Sequence, residues 1–236
     1  MRIAVLNDVH GNVRALEAVL RDVDGAGVDA IVLGGDILAG PWPAETYELL
    51  APIENAIWIR GNADRELVED GGRAPRELTA WVASRAQRES LERVATLPLT
   101  VSLEVDGLGD VLFCHATPRN DTEIRTVLSP DERWLEVLDG VTERTIVCGH
   151  THVQFDRTVS GYRIVNAGSV GMPYANEPGA YWALLGPGVE LRRTEYDTAA
   201  ALEAIAATGI PTEWPQATAE EASKHFETMV LEDRGA

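Results

Sequence analysis

The chain has 236 residues, of which 45% are hydrophobic, and this suits one domain with a large core, or one domain with a lid. Its formal net charge of −18 argues against a nucleic-acid polymer as partner, because such binding relies on Lys and Arg neutralising phosphates. No run approaches the ~18 apolar residues of a membrane span and the N-terminus lacks a signal-peptide core, so we expect a cytoplasmic protein without a membrane partner.

The first 150 residues alternate short apolar runs with a helical pattern. Between the first two runs, Asn12–Ala26 places Leu16, Val19 and Val23 on one helical face. Runs rich in Ile and Val predict five strands: Ile3–Asn7, Ala30–Leu33, Ala56–Ile59, Val111–Cys114 and Thr145–Cys148. This alternation is typical of an α/β protein.

After residue 153 the pattern changes to closely spaced strands separated by glycine-rich turns. The predicted strands are Phe155–Val159, Tyr162–Asn166, Ala180–Leu185 and Val189–Tyr196. Residues 198–231 then indicate two helices separated by Gly209-Ile210-Pro211. We interpret residues 1–236 as a single domain.

Residues 66–97 stand apart from this alternation. Leu78, Trp81, Val82, Leu91 and Val94 recur at mostly helical spacing, with many charges between them. The segment is either another packed helix or a helical lid over a site.

Asp, Asn and His side chains follow the predicted strands. In an α/β sheet such residues collect beyond the carboxyl ends of the strands. Imidazole and carboxylate groups hold divalent cations, and seven of them suffice for a two-metal centre. The candidate metal ligands are Asp8, His10, Asp36, Asn62, His115, His150 and His152.

Spacing within two of the motifs gives a further expectation. Asp8 and His10 are two residues apart, as are His150 and His152. Because alternate residues of an extended segment share a face, we expect each pair to project to one side from an extended turn.

The two cysteines each end an apolar run beside a candidate ligand. Cys114 precedes His115, and Cys148 lies two residues before His150. A thiolate could ligate zinc, but small buried residues at strand ends are favoured, and a disulfide is not expected in a reducing compartment.

Five motifs carry a family resemblance. They are Asp8-Val9-His10-Gly11-Asn12, Gly35-Asp36, Arg60-Gly61-Asn62-Ala63-Asp64, His115 and Gly149-His150-Thr151-His152. In this order they resemble the motif series of the calcineurin-like metallophosphoesterase superfamily, over roughly the first 170 residues. The resemblance is greatest to its small bacterial and archaeal phosphodiesterase branch. It implies a four-layer α/β/β/α sandwich of two mixed sheets flanked by helices.

The resemblance also implies a metal assignment. Asp8, His10, Asp36 and His152 would hold one metal ion, and Asp36 would bridge to a second ion. That second ion would be held by Asn62, His115 and His150. A hydroxide bridging the ions would attack phosphorus in line. Manganese, iron, zinc, nickel and cobalt all suit these ligands.

Three residues are candidates for contact with substrate. Arg60 occupies the position of a phosphate-binding arginine in the phosphoprotein phosphatase branch, and with Asp36 and Asn62 it completes our catalytic set. The alternative interpretation of Arg60 is a solvated arginine at the end of a strand. Asn12 either contacts substrate or caps the helix that follows, and Arg119 either contacts substrate or forms an ordinary salt bridge.

Ala63 departs from the family pattern, since many relatives carry a histidine there that assists the leaving group. We therefore expect hydrolysis of phosphodiester or phosphoanhydride bonds in small, nucleotide-type substrates that have good leaving groups. The alternatives are a phosphomonoester or phosphoprotein phosphatase, a non-catalytic scaffold, and a recombination-repair nuclease. The expected partner is a small phosphorylated molecule, and homo-oligomerisation is left open.

Overall fold

The computed structural model describes residues 1–69 and 72–235, the last four of these as helix backbone only. Ten strands form two five-stranded sheets in this part of the chain. The strands are β1 (Ile3–Leu6), β2 (Ala30–Leu33), β3 (Ala56–Trp58), β4 (Thr100–Val105), β5 (Gly109–Cys114), β6 (Thr145–Cys148), β7 (Phe155–Val159), β8 (Tyr162–Asn166), β9 (Ala180–Leu185) and β10 (Val189–Thr194).

Helices connect and cover these strands. They are α1 (Val13–Ala26), α2 (Pro43–Leu50), α3 (Asn62–Arg65), α4 (Arg76–Ala83), α5 (Arg88–Val94), α6 (Asp131–Val137), α7 (Thr198–Ala207) and α8 (Ala219–Gly235). α1 begins where the Asn12 side chain accepts a hydrogen bond from the Ala15 backbone N–H, and it ends at Gly27 in the left-handed conformation.

Both sheets are mixed. The first has the order β10-β9-β1-β2-β3, with β1, β2 and β3 parallel and β9 antiparallel to β1. The second has the order β4-β5-β6-β8-β7, with β5, β6 and β8 parallel. Parallel strands share one carboxyl edge, so the loops that follow them lie side by side.

Three apolar layers separate the sheets and helices. Leu6 and Leu33 of the first sheet pack against Leu16 and Val19 of α1. The opposite face of that sheet packs on the second sheet, through pairs such as Val5 and Phe113. The outer face of the second sheet packs on Trp134 of α6. The resulting order of layers is α/β/β/α, the fold class expected from the sequence.

Some predicted boundaries differ from the structure. Asn7 and Ile59 lie just outside their strands, β10 ends at Thr194 rather than Tyr196, and β4, α2 and α6 are additional elements. The described residues between 66 and 97 include two short helices, α4 and α5. In the described part of the chain, no helix is both long and apolar enough to cross a membrane.

Candidate metal centre

Six of the seven candidate ligands lie in two compact clusters. One cluster contains Asp8, His10 and His152, and the other contains Asp36, His115 and His150. Within each cluster the candidate ligand atoms all lie within 4.8 Å of one another. The residues follow β1, β2, β5 and β6, so the two sheets jointly supply the site.

Asp36 lies between the two clusters. Its Oδ2 atom is 3.8 Å from His10 Nε2 in the first cluster and 3.3 Å from His115 Nε2 in its own. Its Oδ1 atom accepts a hydrogen bond from the Ala63 backbone N–H at 2.8 Å. One carboxylate oxygen is therefore fixed by the backbone while the other faces both sets of histidines.

Backbone carbonyl groups orient three of the four histidines. In each case Nδ1 donates to the carbonyl, which leaves Nε2 directed at the carboxylates. The pairs are His10 with Ala39 at 3.0 Å, His115 with Gly34 at 2.9 Å and His152 with Met172 at 2.7 Å. In each ring Nε2 is thus the nitrogen that would bind a cation, after loss of any proton that it carries in the metal-free protein.

Most of the ligands have a left-handed backbone. The φ angles are 53° for Asp8, 46° for His10, 54° for Asp36, 66° for His150 and 57° for His152. Such angles are costly in residues other than glycine and are concentrated at functional sites. The expected extended turns are therefore wrong, whereas the placement of His150 and His152 in different clusters matches their assignment to different metal ions.

Close approach of loops explains two of the motif glycines. A Cβ atom on Gly61 would lie 2.2 Å from Asp36 Oδ1, and a Cβ atom on Gly149 would lie 2.4 Å from Asp8 Oδ2. Both distances are far below a van der Waals contact. Glycine at these positions lets neighbouring loops touch the carboxylates.

Asn62 lies at the edge of the second cluster. Its side-chain oxygen is 3.2 Å from His115 Nε2 and 3.0 Å from His150 Nδ1, and it also faces the Asp121 carbonyl. With the amide reversed, its NH₂ group would donate to these same atoms. With the oxygen in place, the amide oxygen converges with two imidazole nitrogens and a carbonyl oxygen, which are atoms that could surround a bound cation once His115 loses its proton.

Asp8 provides an independent test of whether a cation fits. Its Oδ1 atom is buried and has no hydrogen-bond partner among the described residues, although His152 Nε2 lies 3.3 Å away. Burial alone would raise the pKa of Asp8, but the neighbouring His152 and His115 together outweigh this effect, and the pKa is lowered. An ionised, buried and incompletely bonded carboxylate beside imidazole nitrogens fits a metal ligand.

Protons replace the cations when the protein is metal-free. Burial lowers the pKa of His115, but Asp36, Asp8 and the Gly34 carbonyl together outweigh this effect and raise the pKa to about 10. Burial and the neighbouring His115 lower the pKa of His150 to about 4. One histidine of this cluster therefore carries a proton that a metal ion must displace.

Asp64 positions the loop that contains Asp36. Its two oxygens accept hydrogen bonds from the backbone N–H groups of Ile37 and Leu38, each at 2.8 Å. Burial and the nearby Asp36 charge raise the pKa of Asp64 to about 7. The sequence included Asp64 in a motif but gave no indication of this role.

Asp121 is a second residue that sequence reasoning missed. Arg65 donates two hydrogen bonds to its carboxylate, from Nε at 2.8 Å and Nη2 at 3.2 Å. Arg60 Nε lies 3.0 Å from the same carboxylate. Arg60 is thus held beside Asn62 by an ion pair, and its contact with phosphate stays a prediction.

The other two substrate candidates have structural partners. Arg119 donates two hydrogen bonds to Glu123 and one to the Glu136 carbonyl, and its side chain is 52% exposed. Asn12 caps α1 and donates to the Gly171 carbonyl at 2.9 Å. These are the ordinary roles weighed from the sequence, and contact of Asn12 and Arg119 with substrate stays a prediction.

The cysteines lie apart from both clusters. Cys114 and Cys148 are free thiols buried on the outer face of the second sheet. Burial raises the pKa of Cys148 to about 12 and that of Cys114 well above its ordinary value. Both are therefore protonated packing residues, as the sequence favoured.

Comparisons with known proteins identify a family and similar chains. The family model of the calcineurin-like phosphoesterase superfamily domain matches residues 1–185. An uncharacterized protein of Methanocaldococcus jannaschii is 29% identical, over 90% of this chain and 94% of that protein.

Two crystal structures match nearly the whole chain. A metallophosphoesterase from Sphaerobacter thermophilus is 28% identical with a TM-score of 0.70, and the match covers 96% of this chain and 98% of that one. A hypothetical protein from Pyrococcus horikoshii OT3 shares the fold with a TM-score of 0.75 at 24% identity, over 95% and 97% of the two chains.

Proposed function

The chain belongs to the calcineurin-like phosphoesterase superfamily, and we propose that it is a two-metal hydrolase of phosphodiester or phosphoanhydride bonds in small, nucleotide-type substrates. The observation that carries this proposal is the pair of His/Asp clusters with Asp36 between them. A shared carboxylate brings two cations close enough to act on one phosphoryl group.

Each ligand has a defined task in this proposal. Asp8, His10 and His152 would hold one ion, Asn62, His115 and His150 would hold the other, and Asp36 would bridge them. Bound there, the ions would polarise the phosphoryl oxygens and lower the pKa of the attacking water.

The protein's own residues would prepare the site before substrate arrives. The carbonyl groups that hold His10, His115 and His152 fix the ring orientations, so little reorganisation accompanies metal binding. Asp64 holds the Asp36 loop through two backbone N–H groups. Arg60, aligned by Asp121, would bind a phosphoryl oxygen.

Charge supports a small anionic substrate rather than a polymer. The chain as a whole is strongly acidic, so only a locally positive site attracts phosphate. Four neutral imidazoles, one amide and two aspartates leave a pair of divalent cations with net positive charge. This favours a small phosphorylated molecule over DNA, which argues against the nuclease alternative.

A metal-binding interaction scaffold and a phosphomonoesterase are the remaining alternatives. All seven ligand positions are filled, so metal binding alone does not separate the hydrolase from such a scaffold, and turnover does. Ala63 provides no imidazole to protonate a poor leaving group, which favours diesters and anhydrides over alkyl monoesters.

A substrate panel tests the proposal. The metal-free protein would be reloaded separately with manganese, iron, zinc, nickel or cobalt and assayed with monoesters, diesters, cyclic nucleotides and dinucleoside polyphosphates. We expect diesters or polyphosphates to be the best substrates, with His115→Ala as the inactive control. Turnover of alkyl monoesters alone would indicate the phosphatase, and metal binding without any turnover would indicate the scaffold.

A further inference from the structure

A cavity of about 210 Å³ adjoins the metal centre. On the metal side it is bordered by His10 and Ala63. α4 forms a second wall through Leu78 and Val82, and the segment between α7 and α8 forms a third through Ile210 and Trp214. The cavity therefore begins at a candidate metal ligand and extends to α4, which lies in the segment that the sequence left as either a packed helix or a lid.

The walls of this cavity are mainly apolar. Polar side chains come from His10, Thr79, Thr212 and Glu213, and none of the described lining residues is Lys or Arg. An anionic phosphate would lack a compensating charge there and would be costly to bury. The cavity thus suits an uncharged group, and phosphate is left to the metal side.

Trp214 gives the cavity an aromatic wall. Its indole Nε1–H donates to the Gly171 carbonyl at 3.3 Å. That hydrogen bond ties the 210–215 segment to the loop that follows β8. A fixed indole face is well suited to pack against another flat ring.

Size limits what this space can hold. Pockets that bind whole drug-sized ligands measure roughly 300–1,000 Å³, and a cavity of 210 Å³ is smaller than that range. One ring system fits this volume, but a whole nucleotide does not.

We propose that this cavity binds an uncharged aromatic group attached to the substrate phosphate, such as a nucleobase or an aryl ring. This inference rests on the proposed function and specifies its substrate class. Ala63 contributes by its small size, because a larger side chain between the cluster and the cavity would obstruct the path from phosphate to ring. Leu78 and Trp214 are then the residues that determine specificity.

Calorimetry with two phosphonates tests this proposal without requiring turnover. Phenylphosphonate and methylphosphonate differ only in the ring, so the ratio of their affinities isolates its contribution. Burying an aromatic ring should favour phenylphosphonate by roughly tenfold or more in the manganese-loaded protein. Leu78→Trp and Thr79→Phe fill the cavity from α4 and should each remove that preference.

A matched control uses the neighbouring cavity of about 400 Å³, which Leu202 of α7 lines. Leu202→Trp makes the same change there and should leave the preference for phenylphosphonate intact. The inference is overturned if wild-type protein binds both phosphonates within about threefold, or binds neither. It is also overturned if folded Leu78→Trp and Thr79→Phe keep the preference, or if only Leu202→Trp loses it.

Hydrolysis of bis-p-nitrophenyl phosphate by the same samples separates the two proposals. A ring preference without hydrolysis in any metal form would refute the proposed function and leave the cavity assignment standing. Hydrolysis without a ring preference would refute only the cavity assignment.

Discussion

Replacing Gly61 with alanine tests whether Asp36 must lie where the structure places it. The added Cβ atom would be 2.1 Å from the Asp36 backbone nitrogen and 2.2 Å from its Oδ1 atom. Ordinary carbon contacts begin near 3.5 Å, so the loops must separate by about 1 Å. The φ angle of Gly61 is −102°, which alanine adopts freely, so the effect is purely steric.

The size of the effect follows from that displacement. A shift of about 1 Å at a catalytic group lowers turnover on the order of 100-fold. Overpacking also costs about 1–3 kcal/mol of stability, which lowers the Tm of a chain of this length by roughly 2–12 °C. Metal content, hydrolysis of bis-p-nitrophenyl phosphate and thermal unfolding measure the three consequences.

Gly25→Ala in α1 is the matched control. A Cβ atom there meets nothing within 4 Å, so activity should not change and stability should rise by up to about 1 kcal/mol. The steric reasoning is refuted if Gly61→Ala retains the metal content and turnover of the wild type.

Four further outcomes are expected. The Asp36→Asn variant should lose activity and most of its bound metal. If elemental analysis finds the full metal stoichiometry in this variant, Asp36 does not bridge two ions. Asn62→Ala should lower activity much more at limiting than at saturating metal, whereas equal losses would indicate a role other than ligation. Burial lowers the pKa of His115, but Asp36, Asp8 and the Gly34 carbonyl together raise it to about 10, so metal uptake at pH 7 should release protons and metal affinity should fall as pH falls. Calorimetry of metal binding in buffers of different ionisation enthalpy counts those protons. A binding enthalpy that is the same in every buffer would contradict the assignment of a displaceable proton to His115. Because Ala63 donates no proton, the rate should depend steeply on leaving-group pKa, and a flat profile with chemistry rate-limiting would mean that another acid acts.

The central strands were predictable from the sequence because they are buried on both faces. β1, β2 and β6 are continuous runs of apolar residues with every position buried, apart from Thr145 in β6, which is polar but also buried. β4 was missed because it is an edge strand with mostly half-exposed residues. α6 has only seven residues and depends on packing of Trp134 rather than on a helical pattern.

The identity of the ligands could be read from the sequence, but their arrangement could not. The motifs identify Asp8 and His10 as candidate ligands but do not indicate that both residues have a left-handed backbone. The carbonyl groups that orient the histidines come from distant loops, as when Met172 accepts from His152. Only the folded chain brings Asp121 to Arg60 and Arg65, and contacts of that kind leave no local pattern in a sequence.

A stepwise metal titration tests the two-metal account most directly. Metal-free protein would receive manganese in fractions of an equivalent while bound metal and hydrolysis of bis-p-nitrophenyl phosphate are followed together. If both ions act on one phosphoryl group, activity should remain low through the first equivalent per chain and rise with the second. Full activity with one equivalent bound, or with none, would contradict the account.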